Sequence, residues 1–402
     1  MKVGPGAAKS RPSSLTDPPF TGFAVTQPGL ESVLASELDR LGLAPSEPVP
    51  GGCEFRASLE QIVLANLGLR TAARVLVRVA SFRARSFIEL ERHAKRVDWG
   101  RYLARDVAVH FRVTSKKSKL FHEKGIAERL TSAVRATCPR VEIAAGRAEA
   151  DLEERDVTAP TTVQRFVVRF HYDDCTISAD SSGPPLHRRG YRLASAKAPL
   201  RETLAAGLLL ASGWDGSTPL IDPMCGSGTI PIEAALIARR MAPGLRRRFA
   251  FERWPEVNQA AVDQVRVGVA SGVLDKAPVV LIGSDRDAGA VAASRANAAA
   301  AGVARDVEWR QGALSTLTPA ESPGWIVTNP PYGARIGDRA ALRDLYAQFG
   351  NVLRRTCPDW RVAMISADRI LEGHVGLRWR DIAATDNGGI PVRFVTAVVP
   401  PQ

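Results

Sequence analysis

A glycine-rich loop beginning at Asp222 is the first of three segments in this sequence whose residue types could do chemistry. The loop reads DPMCGSGT, from Asp222 to Thr229, and lies between a short apolar run and the segment IPIEAALIARR. At the carboxyl end of a strand in an open α/β sheet, such glycines let the backbone approach a ligand before a helix begins. The loop lacks the G-x-G-x-x-G pattern of dinucleotide sites and the G-K-[ST] pattern of triphosphate sites. It suits a zwitterionic ligand whose amino group Asp222 could hold, with a plain tight turn as the alternative.

The second segment is Asp285, which closes the apolar run PVVLIGS and precedes an Ala-rich stretch of helical character. An acidic side chain at the end of the second strand of a nucleotide-binding sheet is well placed to accept both hydroxyls of a ribose. The carboxylate could equally cap the following helix, because aspartate is favoured at helix N-termini. The sequence therefore predicts a ribose contact here and leaves helix capping open.

The third segment, Asn329-Pro330-Pro331-Tyr332, follows the apolar run GWIVT. The two prolines stiffen the backbone and lack N–H groups, which leaves carbonyls free to accept hydrogen bonds. The Asn329 side-chain oxygen and the Pro330 carbonyl can accept both N–H bonds of an exocyclic amine, while Tyr332 stacks on a planar base. This pattern fits methylation of a base amine, and a plain Pro-rich turn is the alternative.

All three segments follow short apolar runs that alternate with Ala-rich helical stretches in the C-terminal half. The runs are PLID, PVVLIG, GWIVT, RVAMIS and VRFVTAVV. Strands buried on both faces have this composition, and their alternation with helices indicates βαβ crossovers and a parallel sheet. We therefore predict a doubly wound α/β domain over residues 183–402, beginning at the loop SGPPLHRRGYR.

The N-terminal half predicts two smaller α+β modules after a tail. Residues 1–18 are rich in Pro, Gly, Ser and Lys without apolar periodicity, which is typical of a disordered tail. Residues 19–77 contain strand patterns such as CEFRA and amphipathic helices such as LEQIVLANLGL, and form the first module. Residues 78–182, with the strand patterns VAVHFRVTS and QRFVVRFHYDD, form the second.

The positive charge is concentrated in the second module. The chain of 402 residues has a formal charge of +12, and the segment Arg83–Arg140 holds 15 Lys and Arg against six acidic residues, or +9 of that excess. Such a cluster favours a polyanionic partner such as RNA, whereas a uniformly basic proteome would spread the charge evenly. The side chains that we expect to contact RNA are Arg112, Lys116, Lys117, Lys119, Arg246 and Arg247. For the last two, a solvated turn is the alternative.

Cysteine usage and hydropathy restrict the remaining classes of protein. The five cysteines are scattered, with neither C-x-x-C pairs nor histidines at metal-ligand spacing, so we expect reduced thiols and no metal site. No stretch approaches the roughly 20 apolar residues of a membrane span, and the N-terminus lacks the apolar region of a secretory signal. We therefore expect a cytoplasmic protein.

Taken together, these segments resemble the THUMP-domain class I S-adenosylmethionine-dependent RNA methyltransferases, specifically the large-subunit ribosomal RNA guanine-N2 type. The resemblance covers nearly everything from Thr21 to the end. It is carried by FAVTQPGLESVLASEL, VDWGRYL, VAVHFRVTSKKSKLFHEKGIAERL, DSSGPPLHRRGYRLASAKAPLRETLAAGLLLASGWDG, PLIDPMCGSGTIPIEAALIARRMAPGLRRRFAFERWP and IVTNPPYGARIG. These long joined segments make the resemblance specific.

The resemblance implies a ferredoxin-like unit over 19–77, a THUMP RNA-binding domain over 78–182 and a Rossmann-like methyltransferase domain over 183–402. It implies a mostly parallel sheet that ends in an antiparallel hairpin, with S-adenosylmethionine as the cofactor. It assigns cofactor contacts to Thr203, Asp222, Pro223, Met224, Cys225, Gly226, Ser227, Gly228, Thr229, Asp285 and Asn329. It assigns base handling to Asn329, Pro330, Pro331 and Tyr332. One departure is Gly312-Ala313, where relatives often carry an acidic residue near the adenine, so that contact would come from backbone alone.

The function implied is methylation of the N2 amine of a guanine in RNA, with 23S ribosomal RNA favoured. Transfer RNA is the alternative substrate, because THUMP modules commonly act on it. A non-catalytic RNA-binding ribosome assembly factor is the alternative from a different class. DNA adenine-N6 and protein glutamine methylation also use N-P-P-Y, but neither explains the basic module.

Overall fold

The computed structural model describes residues 20–144, 156–193, 200–319, 323–332 and 339–401, so the predicted tail lies outside the described residues. The strands are β1 (Phe20–Thr26), β2 (Gly52–Ala57), β3 (Ala72–Arg83), β4 (Ala108–Lys116), β5 (Val163–His171), β6 (Asp174–Asp180), β7 (Leu220–Asp222), β8 (Leu281–Asp285), β9 (Val307–Gln311), β10 (Trp325–Thr328), β11 (Arg361–Ser366), β12 (Arg380–Asn387) and β13 (Ile390–Val398). The helices are α1 (Glu31–Arg40), α2 (Leu59–Gly68), α3 (Phe87–Ala94), α4 (Glu123–Thr137), α5 (Glu202–Ser212), α6 (Thr229–Ala238), α7 (Gln259–Ser271), α8 (Ala288–Ala301), α9 (Arg339–Thr356) and α10 (Arg369–Val375). Within the described ranges, every helix falls short of the length or apolar character needed to cross a bilayer.

The strands of the N-terminal half form one six-stranded sheet in the order β2-β1-β3-β6-β5-β4. Neighbouring strands are antiparallel except for β4 and β5, which are parallel. β3 pairs with β1 up to Val77 and with β6 from Leu76 to Arg83. The expected boundary between residues 77 and 78 falls inside β3, so the two α+β modules share a continuous sheet.

The C-terminal half forms a seven-stranded sheet in the order β12-β13-β11-β10-β7-β8-β9. The strands from β11 to β9 are parallel, and β13 runs antiparallel to β11 and β12. β7 and β10 are buried at every residue, which explains their uninterrupted apolar runs. The predicted α/β fold, with a mostly parallel sheet and a terminal hairpin, is confirmed. The direction of strand addition reverses between β7 and β10, and ligands bind at such a switch point.

An aromatic segment of the C-terminal half belongs to the core of the N-terminal sheet. Phe249, Phe251 and Trp254 lie between α6 and α7 and are buried in one hydrophobic cluster with residues of the N-terminal strands. Trp254 Nε1 donates to Gln164 Oε1 of β5 over 2.8 Å, and its ring meets that of Tyr102 edge-on with centroids 5.1 Å apart. The two halves therefore share a packed core.

Buried charges reinforce this junction. Arg189 Nε lies 3.4 Å from Glu233 Oε1 of α6, and the two side chains are 3% and 0% exposed. Tyr191 donates its hydroxyl to the same carboxylate over 3.1 Å, and Arg189 also donates to the Arg70 carbonyl of the N-terminal half. Because removing one partner would leave a buried charge uncompensated, this cluster holds α6 against the N-terminal sheet.

Candidate active site

The three predicted segments meet at the carboxyl edge of the C-terminal sheet. Asp222 ends β7 and pairs in register with Gly283 of β8, two residues before Asp285. β10 pairs with β7 on the other side and ends at Thr328, immediately before Asn329. The parallel register therefore brings the loop after β7 between Asp285 and Asn329, at the switch point of the sheet.

The loop after β7 turns tightly because of two glycines. Gly226 and Gly228 have φ values of +54° and +83°, a conformation that other residues rarely adopt. A Cβ atom at Gly228 would also lie 2.7 Å from Trp309 Cη2 of β9. The Cys225 N–H donates to the Ser284 carbonyl over 2.9 Å and ties the loop to β8. Only glycine fits at position 228, because both the conformation and the space exclude a side chain.

Asp285 accepts hydrogen bonds from this loop. Its Oδ2 accepts the Gly226 N–H over 2.9 Å, and its Oδ1 accepts the Asp287 N–H over 3.0 Å. The helix cap of α8 is made by Asp287, whose Oδ1 accepts the Ala290 N–H over 3.0 Å. Asp285 therefore does not cap α8, and its partly exposed carboxylate keeps further acceptor positions for a ligand at the edge.

Asp222 is buried at the base of the loop, with 1% of its surface exposed. Its Oδ1 accepts the Met224 N–H over 3.1 Å. Burial raises the pKa of Asp222 to about 7, the nearby Asp285 adds to the rise, and the Thr328 hydroxyl and the Met224 N–H offset part of it. A carboxyl group in this state is stabilised in its charged form by any cation placed beside it. Asp222 is therefore suited to an ammonium group.

Two polar side chains of α8 donate hydrogen bonds to the loop after β7, and the sequence did not predict this role. Ser294 Oγ donates to the Gly226 carbonyl over 2.8 Å, and Asn297 Nδ2 donates to the Ser227 carbonyl over 3.1 Å. Both side chains are buried. Their spacing of three residues places them on one face of the helix, and this is the signal that could have found them.

Arg192 connects the loop to α5, and it too was missed because it lies in the loop that marks the domain boundary. Its Nε donates to Glu202 Oε1 over 2.9 Å, and its Nη2 donates to Thr229 Oγ1 over 3.2 Å. Burial raises the pKa of Glu202, and the adjacent Arg192 offsets part of this rise. Thr203 is buried in the first turn of α5, next to Glu202. Its contact with the cofactor stays a prediction.

A cavity of about 310 Å³ opens beside the loop, between the ends of β8 and β9. Its lining includes Pro223, Ile282, Gly312 and Ala313, and the described part of the lining contains no acidic side chain. The Gly312 N–H donates to the Asp285 carbonyl over 3.0 Å and holds this wall against β8. Apolar side chains such as Ile282 and Leu314 share the lining with the uncharged or basic side chains of Ser284, Gln311 and Arg310, so a flat ring would meet both kinds of surface here.

The loop after β10 is anchored by two hydrogen bonds that follow an unpaired acceptor in the chain. Tyr346 donates its hydroxyl to the Pro331 carbonyl over 3.3 Å, and Asn387 Nδ2 donates to the Tyr332 hydroxyl over 2.7 Å. The Asn329 side-chain oxygen is shielded from solvent and accepts no hydrogen bond from any described residue. An acceptor without a partner is costly, and an N–H group of a ligand is the donor that would satisfy it.

Tyr332 is half-buried, and its hydroxyl is neutral at physiological pH. Burial raises the pKa of this phenol, and the hydrogen bond from Asn387 offsets part of the rise. Pro330 of the same loop is buried. Residues 333–338, which contain the rest of the segment GARIG, lie outside the described residues. The anchored ring of Tyr332 is available as a rigid wall for a planar group.

The predicted RNA-contacting residues of the second module are exposed. Of the 15 basic residues between Arg83 and Arg140, 14 are exposed and Arg101 is partly buried. The exposed set includes Arg112, Lys116, Lys117 and Lys119. Their contact with RNA stays a prediction, and their exposure is compatible with it.

The prediction that Arg247 contacts RNA is wrong. The side chain is 2% exposed, and its guanidinium group donates to three backbone carbonyls within residues 184–188. Burial lowers the pKa of Arg247 to about 9. Its neighbour Arg246 is exposed and donates to the Ala300 carbonyl, so Arg246 is still a candidate for phosphate contacts.

The donor set of this edge fits a nucleoside joined to an amino acid. A buried carboxylate suits an ammonium group, a second carboxylate at the next strand suits ribose hydroxyls, and the cavity suits a purine. The residues that carry these features are Asp222, Asp285, Gly312 and Ala313. The observed residues therefore agree with the expected cofactor, S-adenosylmethionine.

Two family descriptions match the chain. Residues 189–392 match the RMKL-like methyltransferase domain, and residues 21–76 match the RlmL ferredoxin-like domain. The first match covers about half of the chain and confirms the predicted methyltransferase domain. The second confirms the predicted ferredoxin-like unit, while the THUMP assignment of the middle module stays a prediction.

Relatives match across nearly the whole chain. A candidate RNA methyltransferase of Synechocystis sp., slr0064, is 33% identical over 379 residues, which covers 94% of this chain and 96% of the relative. The ribosomal RNA large subunit methyltransferase K/L of Syntrophotalea carbinolica is 35% identical over 392 residues, which covers 94% of this chain and 53% of that enzyme. The chain therefore spans about half the length of the Syntrophotalea protein.

A solved structure shows the same fold. SMU.472, a candidate methyltransferase in complex with S-adenosylhomocysteine, matches with a TM-score of 0.82 at 30% identity over 95% of this chain and 98% of that chain. The bound S-adenosylhomocysteine confirms the predicted cofactor, S-adenosylmethionine, for proteins of this kind. Together with the match over residues 189–392 and two relatives above 30% identity, the sheet order shows that the chain belongs to the RMKL-like methyltransferase family.

Proposed function

We propose that this chain transfers a methyl group from S-adenosylmethionine to the exocyclic N2 amine of a guanine in RNA, with 23S ribosomal RNA as the substrate. The observation that carries the proposal is the shielded, unpaired side-chain oxygen of Asn329 next to the carboxyl end of β10. An amine N–H is the donor that this acceptor lacks. The exposed basic residues of the N-terminal sheet favour RNA as the polymer that presents the amine.

The residues after β10 prepare the amine for attack. Asn329 Oδ1 and the Pro330 carbonyl accept its two N–H bonds, which draws the nitrogen lone pair out of conjugation with the ring. Tyr332 stacks on the base and is kept in place by Asn387. When bound, S-adenosylmethionine supplies the electrophilic methyl group. Orientation accounts for the acceleration, and the proton is lost to solvent after attack, so no strong base is required.

The edge of the sheet holds the cofactor in this proposal. Asp222 binds the ammonium group of the methionine end, and Asp285 accepts the ribose hydroxyls. The adenine lies in the cavity against Gly312 and Ala313, where backbone and apolar contacts replace an acidic side chain. Water is excluded at Asp222 in particular, because this carboxyl group is buried.

The similarity to one relative favours ribosomal RNA over transfer RNA. The Syntrophotalea relative is named for the large ribosomal subunit, and its similarity extends over 94% of this chain, including the basic module. A paired guanine hides its amine within the helix, so the substrate is a flipped or unpaired nucleotide. The Synechocystis relative is named only for RNA and is compatible with either polymer.

The test is methyl transfer with purified protein, labelled S-adenosylmethionine and undermodified ribosomal RNA. We expect label in N2-methylguanosine after nucleoside analysis. Asn329→Ala should lose transfer, whereas Asn351→Ala, an exposed substitution of the same type on α9, should retain it. Label in another nucleoside, or full activity of Asn329→Ala, would contradict the proposal.

The two alternatives make different predictions. If transfer RNA is the substrate, mass spectrometry of nucleosides from a deletion strain should show a loss of N2-methylguanosine from transfer RNA. The N2-methylguanosine of ribosomal RNA should then be unchanged. If the chain is a non-catalytic ribosome assembly factor, titration with S-adenosylhomocysteine should show no binding. Binding of S-adenosylhomocysteine, together with a loss of N2-methylguanosine from ribosomal RNA, supports the proposed reaction.

A further inference from the structure

One end of the N-terminal sheet carries an exposed tyrosine among basic side chains. The strand register aligns Arg83 of β3, Asp174 of β6, His171 of β5 and Lys116 of β4 across this end. Tyr172 lies in the turn between β5 and β6, and its N–H donates to the Lys116 carbonyl over 3.4 Å. The turn therefore lies beside the end of β4 at Lys116 and the loop that follows it, which contains Lys117 and Lys119.

The ring of Tyr172 is exposed and in contact with one of these lysines. Its side chain is 54% exposed, and Lys117 Nζ lies 3.0 Å from its hydroxyl and 5.2 Å from its ring centroid. A second exposed ring, Phe121, follows the same loop and is 65% exposed. Covering an exposed aromatic ring is favourable, so a ring in contact with a lysine on a basic surface suggests a ligand with a flat face.

The backbone at this end is strained. Lys117, Tyr172 and Asp173 have φ values of 53°, 52° and 70°, and they are three of the five non-glycine residues with positive φ among the described residues. Two-residue hairpin turns of this kind normally contain asparagine or glycine, which adopt the conformation at lower cost. Such strain concentrates at functional positions. The turn therefore keeps a tyrosine where a smaller residue would close it more easily.

The acidic side chain that ties this loop to the turn is itself neutralised within the fold. Asp173 Oδ2 accepts from Arg85 Nε over 3.0 Å, and its Oδ1 accepts the Lys119 N–H over 2.8 Å. Hydrogen bonds from these groups keep the pKa of Asp173 below its usual value. Asp174 is exposed at the same end, opposite Arg83. Asp173 therefore offsets little of the charge of Lys116, Lys117 and Lys119.

We propose that Tyr172, Lys116, Lys117 and Lys119, here called the Tyr172 platform, bind an unpaired nucleotide of RNA. The base stacks on the Tyr172 ring, and the lysines contact the phosphates on either side. Stacking of this kind tolerates any base but requires one that is free of a helix. The platform thus selects RNA with a single-stranded segment at a distance from the methylated guanine. This inference rests on the proposed function, because it takes RNA as the substrate.

The test compares binding of a short single-stranded RNA with binding of the same sequence in a duplex, by fluorescence anisotropy with the full chain at fixed salt. Tyr172→Asn removes the ring and keeps a residue that favours the turn, so the protein should fold. We expect single-strand affinity to fall roughly 5- to 100-fold and duplex affinity to change less than about twofold. Tyr172→Phe, which keeps the ring, should bind the single strand nearly as the parent does. Val267→Asn, at an exposed position on α7, is the control for loss of surface apolar area.

Unchanged single-strand affinity of Tyr172→Asn would overturn the platform, and so would an equal loss for duplex and single strand. The measurement involves no methyl transfer. A negative result for Tyr172 therefore leaves the proposed reaction standing, and a failure of methylation leaves the binding comparison interpretable.

Discussion

Asn387 Nδ2 donates a hydrogen bond to the Tyr332 hydroxyl over 2.7 Å, although 55 residues separate the two in the chain. Asn387 ends β12 at the turn of the terminal hairpin, and Tyr332 belongs to the loop after β10. At the same turn, Gln27 of the N-terminal half donates from Nε2 to the Asp386 carbonyl over 2.9 Å. The hairpin therefore joins the loop after β10 to the N-terminal half.

Loss of the Asn387 amide should slow the reaction without weakening cofactor binding. For Asn387→Ala we expect kcat to fall about 3- to 10-fold, because one hydrogen bond contributes about 0.5–1.5 kcal/mol. Tyr332→Phe should show a similar loss, and the double variant should show no more than either single one. Steady-state kinetics and an S-adenosylhomocysteine titration measure these effects. Additive losses in the double variant would mean that the two residues act separately.

Cofactor affinity should depend on pH through Asp222. Its pKa is raised to about 7 by burial, so the group is protonated in the free protein below neutral pH. Because an ammonium group requires the carboxylate, S-adenosylhomocysteine should bind about tenfold more weakly at pH 6 than well above pH 7. Asp222→Asn should bind weakly with a flat profile. Calorimetric titration at several pH values checks both, and a sloping profile in Asp222→Asn would assign the effect to another group.

Asp222 should also affect stability: its contribution to the free energy of unfolding decreases as pH rises, whereas cofactor affinity increases. The pKa of Asp222 is higher in the folded protein than the 3.8 of a free side chain, so the folded state binds more protons between these values. Its contribution to the free energy of unfolding is therefore present at low pH and lost as pH rises from about 4 to about 7. Urea unfolding across this range should show a smaller decline for Asp222→Asn than for the parent.

Gly228 and Gly213 form a matched pair for separating backbone strain from collision. Both have positive φ, +83° and +89°, but an added Cβ meets Trp309 only at Gly228 and nothing within 4 Å at Gly213. Gly213→Ala should lower the free energy of unfolding by about 1–2 kcal/mol and leave cofactor affinity unchanged. Gly228→Ala should lower the free energy of unfolding by more than this. It should also weaken cofactor binding at least about tenfold, which corresponds to about 1.4 kcal/mol. Equal cofactor affinity in both variants would remove the loop from the binding site.

Charge reversal at Lys116, Lys117 and Lys119 should weaken RNA binding and flatten its salt dependence. For every phosphate that is no longer neutralised, the slope of log affinity against log salt should fall by about one. Cofactor affinity should be unchanged, because these residues lie on the other sheet. Lys276→Glu, an exposed reversal in the C-terminal half, should have little effect on RNA. If the slope of log affinity against log salt is unaltered in the triple variant, the basic cluster is a general surface property and not an RNA-binding site.

Arg247 should behave as a structural residue. The lysine of Arg247→Lys lacks the planar guanidinium group that donates to the three carbonyls. We therefore expect a loss of about 3–5 kcal/mol in the free energy of unfolding. Arg248→Ala, an exposed neighbour paired with Glu252, should lose less than about 1 kcal/mol. Thermal unfolding provides the comparison. RNA affinity of the folded Arg247→Lys protein should equal that of the parent.

The sequence could predict the site where residues suited to ligand binding directly follow a predicted strand. Asp222, Asp285 and Asn329 each follow an apolar run, and the carboxyl ends of parallel strands meet at one edge, so their proximity could be predicted. Asn387 could not be found in this way, because TDNGG is typical of a turn and nothing local indicates a partner 55 residues away. Arg247 was assigned wrongly because three consecutive arginines do not reveal which one points into the fold.

The module boundary illustrates the same difference. The strand and helix patterns predict a boundary at residue 77, but hydrogen bonding continues through β3, because a strand pattern does not reveal that one strand pairs with two partners. Similarly, FAFERW lies among helical stretches of the C-terminal half, yet its aromatic side chains complete the other core. Local patterns predict elements well, whereas contacts between distant elements depend on the assembled fold.

The buried aromatic segment Phe249–Trp254 determines how this chain can be divided. An N-terminal half cut at residue 183 would lack these rings and would expose the apolar surface that they cover, so it should aggregate as an isolated fragment. A C-terminal half alone would carry the same rings into solvent. Exchange of the N-terminal half between relatives by recombination at this point would therefore succeed only if the aromatic segment is exchanged with it.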